Sequence, residues 1–450
     1  MQRPNNSAAS ETGRDRGAGC SRRRLLAASG ATAATGLAGC VDLPSTLDRR
    51  LEGSEDVSLF HGGLRRLGYY PDETVPDSVA VNWEFPLNYV EHTAAKSSPV
   101  PTPDGETIVF AGDTGWLYGY TPGGELRWST QTGATDLGFH GSAAVVGDTA
   151  YIGGYDGDLY ALDVDTGEIV WRTRSADLDG ALAIGSSPAY HDGSLYVVSE
   201  YGSPSTGTLW EIDPNTGEPT WKDDRMWGQP HPSPTIDLEA GRILAGSNDG
   251  VLYCWEYPSL EFRWEFQAEA DGEEREGGAF RAGAEIKGTL AAHDGYGYFG
   301  SWDDNFYCLD LEDGSQEWAF EAGRSIMSNP AVDVGTDIVY MGSDDGYVYA
   351  LDAASGEEIW STDVDGRVIG ALTVTAETVL AGSYDSHLYA LDKETGDRNW
   401  RVENRGRVTS APVPVDGRIY YAERAVVSTG DENEETTEVP GHAYCLVSDE

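Results

Sequence analysis

The chain has 450 residues, of which 30 are Lys or Arg and 76 are Asp or Glu, giving a formal net charge of -46. So acidic a chain excludes nucleic acid and anionic membrane surfaces as partners. Its 13 Trp and 24 Tyr exclude wholesale disorder, because aromatic content on that scale supports a packed core.

Residues 1–40 carry addressing signals. Ser21-Arg22-Arg23-Arg24-Leu25-Leu26 resembles the twin-arginine export signal, and Leu25 to Gly39 is an uncharged run too short to span a bilayer. The run ends in Leu37-Ala38-Gly39-Cys40, which looks like a lipobox. Cys40 would then be lipidated, become the first mature residue, and hold the protein to the outer face of the cytoplasmic membrane. Residues 41–80 are rich in acids, Pro and Gly without sustained periodicity. They read as a tether and an arm, with Tyr69-Tyr70-Pro71 as a docking point.

From residue 81 onward the chain repeats itself. An acid stands eight positions before a Trp at Asp163 and Trp171, Asp213 and Trp221, Glu256 and Trp264, Asp310 and Trp318, Asp352 and Trp360, and Asp392 and Trp400. Tyr120 and Trp128 keep the interval without the acid. Gly167, Gly217, Gly314, Gly356 and Gly396 mark a tight turn inside five of these intervals, where glycine tolerates positive φ. Each copy opens with a short strand such as Ser97-Ser98-Pro99-Val100 or Ser186-Ser187-Pro188-Ala189. Four strands per forty to fifty residues is the arithmetic of a β-propeller blade. An eighth unit begins near Ser410 and ends without its Trp, while Val81-Asn82-Trp83 looks like a last strand with nothing before it. Trp83 is therefore expected to complete the eighth blade, closing an all-β, eight-bladed propeller by pairing N- and C-terminal strands.

The pattern Leu-Tyr-Ala-Leu-Asp-x-x-Thr-Gly-x-x-x-Trp, at 159–171 and 388–400, resembles the repeat of the pyrroloquinoline-quinone-type (PQQ-type) propellers. That family includes quinoprotein alcohol dehydrogenases and non-catalytic BamB-like lipoproteins. The resemblance covers residues 81–450 and implies that each blade's Trp docks it on the next. The acidic surface resembles that of salt-in halophiles, pointing to a haloarchaeal type. In molar salt a Debye length of about 3 Å screens such self-repulsion.

Propellers place ligands at the channel mouth, lined by the loops entering each innermost strand. Aligned on those strands, Lys96, His140, His231 and Lys287 share one slot. Arg324, Arg367 and Arg407 sit two or three positions earlier in later blades, and Trp227 lies in the same loops. Together they suggest a cationic funnel for an anionic small molecule or acidic peptide segment. Among quinoproteins the resemblance implies a calcium ion, a catalytic Asp, a Trp under the quinone and adjacent cysteines. No two cysteines are adjacent in this sequence, and Glu285 and Asn329 are the candidate oxygen ligands. Cys254, Cys308 and Cys445 occupy a slot filled elsewhere by Ala and are expected as buried free thiols. The turn acids are expected as turn and cap residues rather than acid-base groups.

The sequence thus points to an exported, lipid-anchored propeller acting as a non-catalytic scaffold toward an extracytoplasmic or membrane protein, with no catalytic residues, metal or cofactor. The alternatives are a PQQ-dependent dehydrogenase using the quinone with calcium, and a binder of a small anionic solute or carbohydrate.

Overall fold

The computed structural model describes residues 56–90, 97–268, 284–428 and 437–449; Cys40 and Lys96 lie outside them. Eight antiparallel sheets follow in chain order. Blades 1 to 7 span 100–131, 144–173, 189–227, 235–267, 291–321, 331–363 and 373–403. Blade 8 takes strands at 413–415, 418–422 and 441–448, and its outermost strand is Val79–Asn88. That strand runs antiparallel to Gly441–Ser448, with Val79 opposite Ser448 and Asn88 opposite Gly441. The two ends of the propeller thus share one sheet, as the orphaned Trp83 predicts. A hairpin of Val426–Ser428 and Thr437–Val439 leaves blade 8. The acidic stretch between its strands lies outside the described residues.

The repeat's landmarks join the blades. Seven blade tryptophans send their indole N–H to a backbone carbonyl next door: Trp128 to Val164, Trp171 to Pro214, Trp264 to Leu311, Trp318 to Ala353, Trp360 to Lys393, Trp400 to Pro76 and Trp83 to Pro122. The turn glycine completes the joint. At Gly167 φ is +72°, and a Cβ there would lie 2.6 Å from the Trp128 ring. Glycine is thus required for its backbone and for its bareness. Trp221 meets a different turn, in which Leu260 takes the glycine's place at φ 58°, and it packs into the apolar cluster that contains Leu260. The turn acids cap their own loops: Asp163 Oδ1 accepts the N–H groups of Asp165 and Thr166 and the Thr166 hydroxyl. Cys254, Cys308 and Cys445 are buried free thiols.

A second joint runs round the channel. The N–H of Ser98 bonds Ser142 Oγ, Ser142 bonds Ser187, Ser187 bonds Ser233, Ser233 bonds Thr289, and Thr289 bonds Asn329 Oδ1, all at 2.8–3.0 Å. Ala411 N–H closes onto Ser98 Oγ at 2.8 Å. Blades 7 and 8 present Ala371 and Ala411 toward the axis, and Phe60 packs on both.

Phe60 belongs to the N-terminal arm, which closes one end of the channel. Innermost strands face the axis with unpaired backbone groups, a liability until something covers them. The arm covers them in turn. Val57–Ser58 pairs with blade 2. The carbonyls of Leu64, Arg65, Leu67 and Gly68 then accept N–H groups from Ile236, Ala292, Val332 and Val374, in blades 4 to 7, at 2.8–2.9 Å. Tyr69–Tyr70 adds a parallel strand to blade 7. Arg66 is 0% exposed, and its guanidinium donates to the carbonyls of Phe60 (2.8 Å), Pro188 (3.1 Å) and Pro234 (3.2 Å). His61 is wedged between the carbonyls of Arg66 (2.8 Å) and Leu372 (2.6 Å). Burial lowers its pKa to about 4, against the pull of those two carbonyls and with the help of the Arg66 charge.

Candidate functional site

Above this floor the channel opens into a cavity of about 700 Å³, lined by blades 2 to 7 and by Phe60. One register position builds much of its wall. The segment at the end of the second strand reads Gly-Gly-Tyr155, Val-Ser-Glu200, Gly-Ser-Asn248, Gly-Ser-Trp302, Gly-Ser-Asp344, Gly-Ser-Tyr384 and Ala-Glu-Arg424, the blade 3 copy lying within the strand Ser194–Tyr201. The N–H of each third residue bonds a carbonyl of its blade's entry loop, from Gly138 for Tyr155 to Arg407 for Arg424, at 2.9–3.3 Å. The backbone is therefore repeated, while the side chain it presents changes from blade to blade.

The predicted residues divide. His140, His231 and Lys287, each two residues past that acceptor carbonyl, line the cavity together with Arg367. The His140 ring lies 3.6 Å from that of Tyr155, and His231 Nδ1 stands 3.2 Å from Glu200. Lys287 Nζ sits 3.7 Å above the Trp302 ring, and Arg367 pairs with Asp344 at 3.6 Å. Burial lowers the Lys287 pKa, opposed by Glu285 and Glu200. Arg324, Arg407 and Trp227 are not among the lining residues. Arg407 and the buried Arg424 stand over the Tyr384 ring at 5.0 and 5.5 Å. Trp227, 51% exposed, ends the outer strand of blade 3.

Sequence reasoning missed Phe60, Tyr155, Glu200, Trp302, Asp344 and Tyr384. All but Phe60 occupy the third and most variable position of that segment, whose first two residues are Gly-Ser in four of the seven blades, and that variation was the available signal. With the acids counted, the cavity is mixed in charge rather than purely cationic: two carboxylates stand among four basic side chains.

The residues present do not suit a calcium-bound quinone. Asn329 lines the cavity, but its Oδ1 holds the Thr289 N–H at 2.8 Å, and Glu285 is not a lining residue. Glu200 and Asp344 already face His231 and Arg367. Among the described residues no three His, Cys, Asp or Glu side chains gather as ligands for a metal ion. One face of Trp302 carries the Lys287 ammonium instead of an open stacking surface.

A closed ring of PQQ-type blades around a ligand-sized cavity defines the class: a β-propeller of the kind shared by BamB-like proteins and quinoprotein dehydrogenases. The sequence model of the family described as outer membrane protein assembly factor BamB matches residues 113–265 and 303–435, more than half of the chain, and the chain belongs to that family. It is 30% identical over 165 residues to outer membrane protein assembly factor BamB of Alkalilimnicola ehrlichii, covering 35% of this chain and 39% of that protein. The chain spans only 19% to 39% of the length of the curated relatives it matches. Quinohemoprotein alcohol dehydrogenase from Comamonas testosteroni superposes with a TM-score of 0.71 at 16% identity, over 90% of this chain and 82% of that one. BamB from Moraxella catarrhalis gives 0.58 at 18% identity, over 83% of this chain and 98% of its own. At such identities the two structures speak for the fold.

Proposed function

We propose that this propeller is an exported, lipid-anchored, extracytoplasmic binding protein without catalytic activity, which receives an anionic small molecule or an acidic segment of a membrane partner in its channel mouth. The twin-arginine-like segment and the Leu37-Ala38-Gly39-Cys40 motif support export and anchoring through Cys40. Among the described residues no helix is long and apolar enough to cross a membrane. The haloarchaeal setting rests on the acidic composition, and no nucleic acid is among the partners proposed.

The observation that carries the binding reading is the dead-ended cavity itself. It has the volume of a small-molecule site, Phe60 lines its floor, and Lys287 and Arg367 are set into its wall. The test is a thermal melt of the mature chain with Cys40→Ser in molar KCl, with citrate as a generic anion and, separately, with pyrroloquinoline quinone and calcium. A ligand at a hundred times its Kd stabilises by about 2.7 kcal/mol, which is about 3 °C for a domain of this size. A shift with citrate supports the binding reading; a shift with quinone and calcium alone overturns it in favour of a dehydrogenase. Should neither act, the mouth is left as a protein-docking surface, and recovery of a membrane partner becomes the deciding result.

A further inference from the structure

The chain holds four lysines, Lys96, Lys222, Lys287 and Lys393, and the three within the described residues are partnered differently. Lys222 pairs with Asp179 at the surface, and that hydrogen bond raises its pKa. Lys393 pairs with the buried Asp333 at 2.8 Å. Lys287 has an indole where the other two have a carboxylate: its Nζ sits 3.7 Å from the centre of the Trp302 ring. The acids near enough to favour its charge are Glu285 and Glu200. Glu200 stands against His231 instead, and among the described residues no carboxylate forms an ion pair with Lys287. Burial outweighs both acids and lowers its pKa.

Lys287 is only half-buried and lines the cavity, so a small molecule held there meets its side chain. A carboxylate partner would fix both the proton and the direction of the amine. An indole face positions the amine and attracts its charge, but offers no atom to occupy the nitrogen. A desolvated lysine of this kind is the nucleophile of carbonyl capture. Arg367, whose side chain is 53% exposed, remains as a cation in the same cavity for an acid group. We propose that Lys287 captures an oxo acid, a small aldehyde or ketone carrying a carboxylate, as an imine. The neutral Nζ adds to the carbonyl carbon, the carbonyl oxygen takes up a proton, and the resulting hydroxyl leaves with a second proton as water. The C=O bond is exchanged for C=N with no oxidant or reductant. This deepens the binding reading above and depends on it.

The test is reductive trapping: the mature chain (Cys40→Ser) in molar KCl is incubated with 2-oxoglutarate or with acetone and sodium cyanoborohydride, and labelling of each lysine is followed by peptide mass spectrometry. With 2-oxoglutarate, Lys287 is expected to label at least tenfold faster than Lys222, and to keep its rate to a lower pH. Acetone, which lacks the acid groups, is expected to show a preference for Lys287 at least tenfold smaller. Arg367→Met should remove the advantage of 2-oxoglutarate over acetone, and Lys287→Arg should remove the fast-forming adduct. The parent chain alone decides if either variant does not fold. No adduct, labelling of Lys222 as fast as of Lys287, or an equal preference with acetone each overturns the proposal. Stabilisation by citrate without a Lys287 adduct would overturn the capture while leaving the broader reading standing; failure of both would remove both.

Discussion

The two ends of the channel are built on opposite principles. At the floor the buried Arg66 and His61 side chains are committed. Arg66 spends its guanidinium on four carbonyls, His61 lies between two more, and the arm's carbonyls take up the free N–H groups of four blades. At the mouth the polar side chains are less fully matched. Among the described residues one Glu200 oxygen and the Trp302 indole N–H make no hydrogen bond, and Lys287 is buried at a cost to its own charge. A surface that stabilises satisfies itself, whereas one that binds leaves bonds for its ligand. The comparison says which substitutions should cost folding and which should cost only binding.

The largest effect is expected at the floor. Phe60→Ala removes the ring that packs on Ala371 and Ala411 and should cost about 3–5 kcal/mol, read by denaturant unfolding in molar KCl. An effect below about 1 kcal/mol would mean that the arm is not part of the folded core. Next comes the response to pH. Burial lowers the His61 pKa to about 4, so its contribution is complete above the unfolded value of about 6.5. It is lost as pH falls from there toward 4, by about 3 kcal/mol in all. In the same unfolding experiment His61→Gln should flatten that part of the stability profile relative to the parent. A smaller effect is expected between blades. Trp128→Phe forfeits the indole bond to the Val164 carbonyl and should cost about 1–2 kcal/mol. Trp221→Phe should cost less, because Trp221 meets Leu260 rather than a turn glycine. Equal losses for the two would deny the indole bond a role in docking.

The ring was readable because a blade repeats the same few requirements: an acid to cap a turn, a bare residue in that turn, and an indole to meet it. Eight near-copies turn a weak local pattern into a strong one. The second residue of the inner-strand signature, Ser98, Ser142, Ser187, Ser233 or Thr289, was visible as well. Its role in the belt was not, since that bond joins residues in neighbouring blades. Of the arm only the docking point at Tyr69-Tyr70 was readable; the rest escaped because it binds mainly through its backbone carbonyls, which no side-chain pattern reports, and through single residues at no fixed period, Phe60, Leu64 and Leu67. At the mouth, alignment on the inner strands found His140, His231, Lys287 and Arg367. It could not weigh them against Glu200 and Asp344, which come from a different turn of each blade and meet them only in three dimensions.

The most direct test of the contrast is the double variant Lys287→Met/Arg367→Met, measured for thermal stability and for stabilisation by citrate. The predicted result is a Tm within about 2 °C of the parent, because relief of the Lys287 burial cost offsets the lost Arg367–Asp344 pair, together with loss of the citrate shift. A fall in Tm as large as that of Phe60→Ala, or a citrate shift that survives, would contradict the division of the channel into a structural floor and a binding mouth.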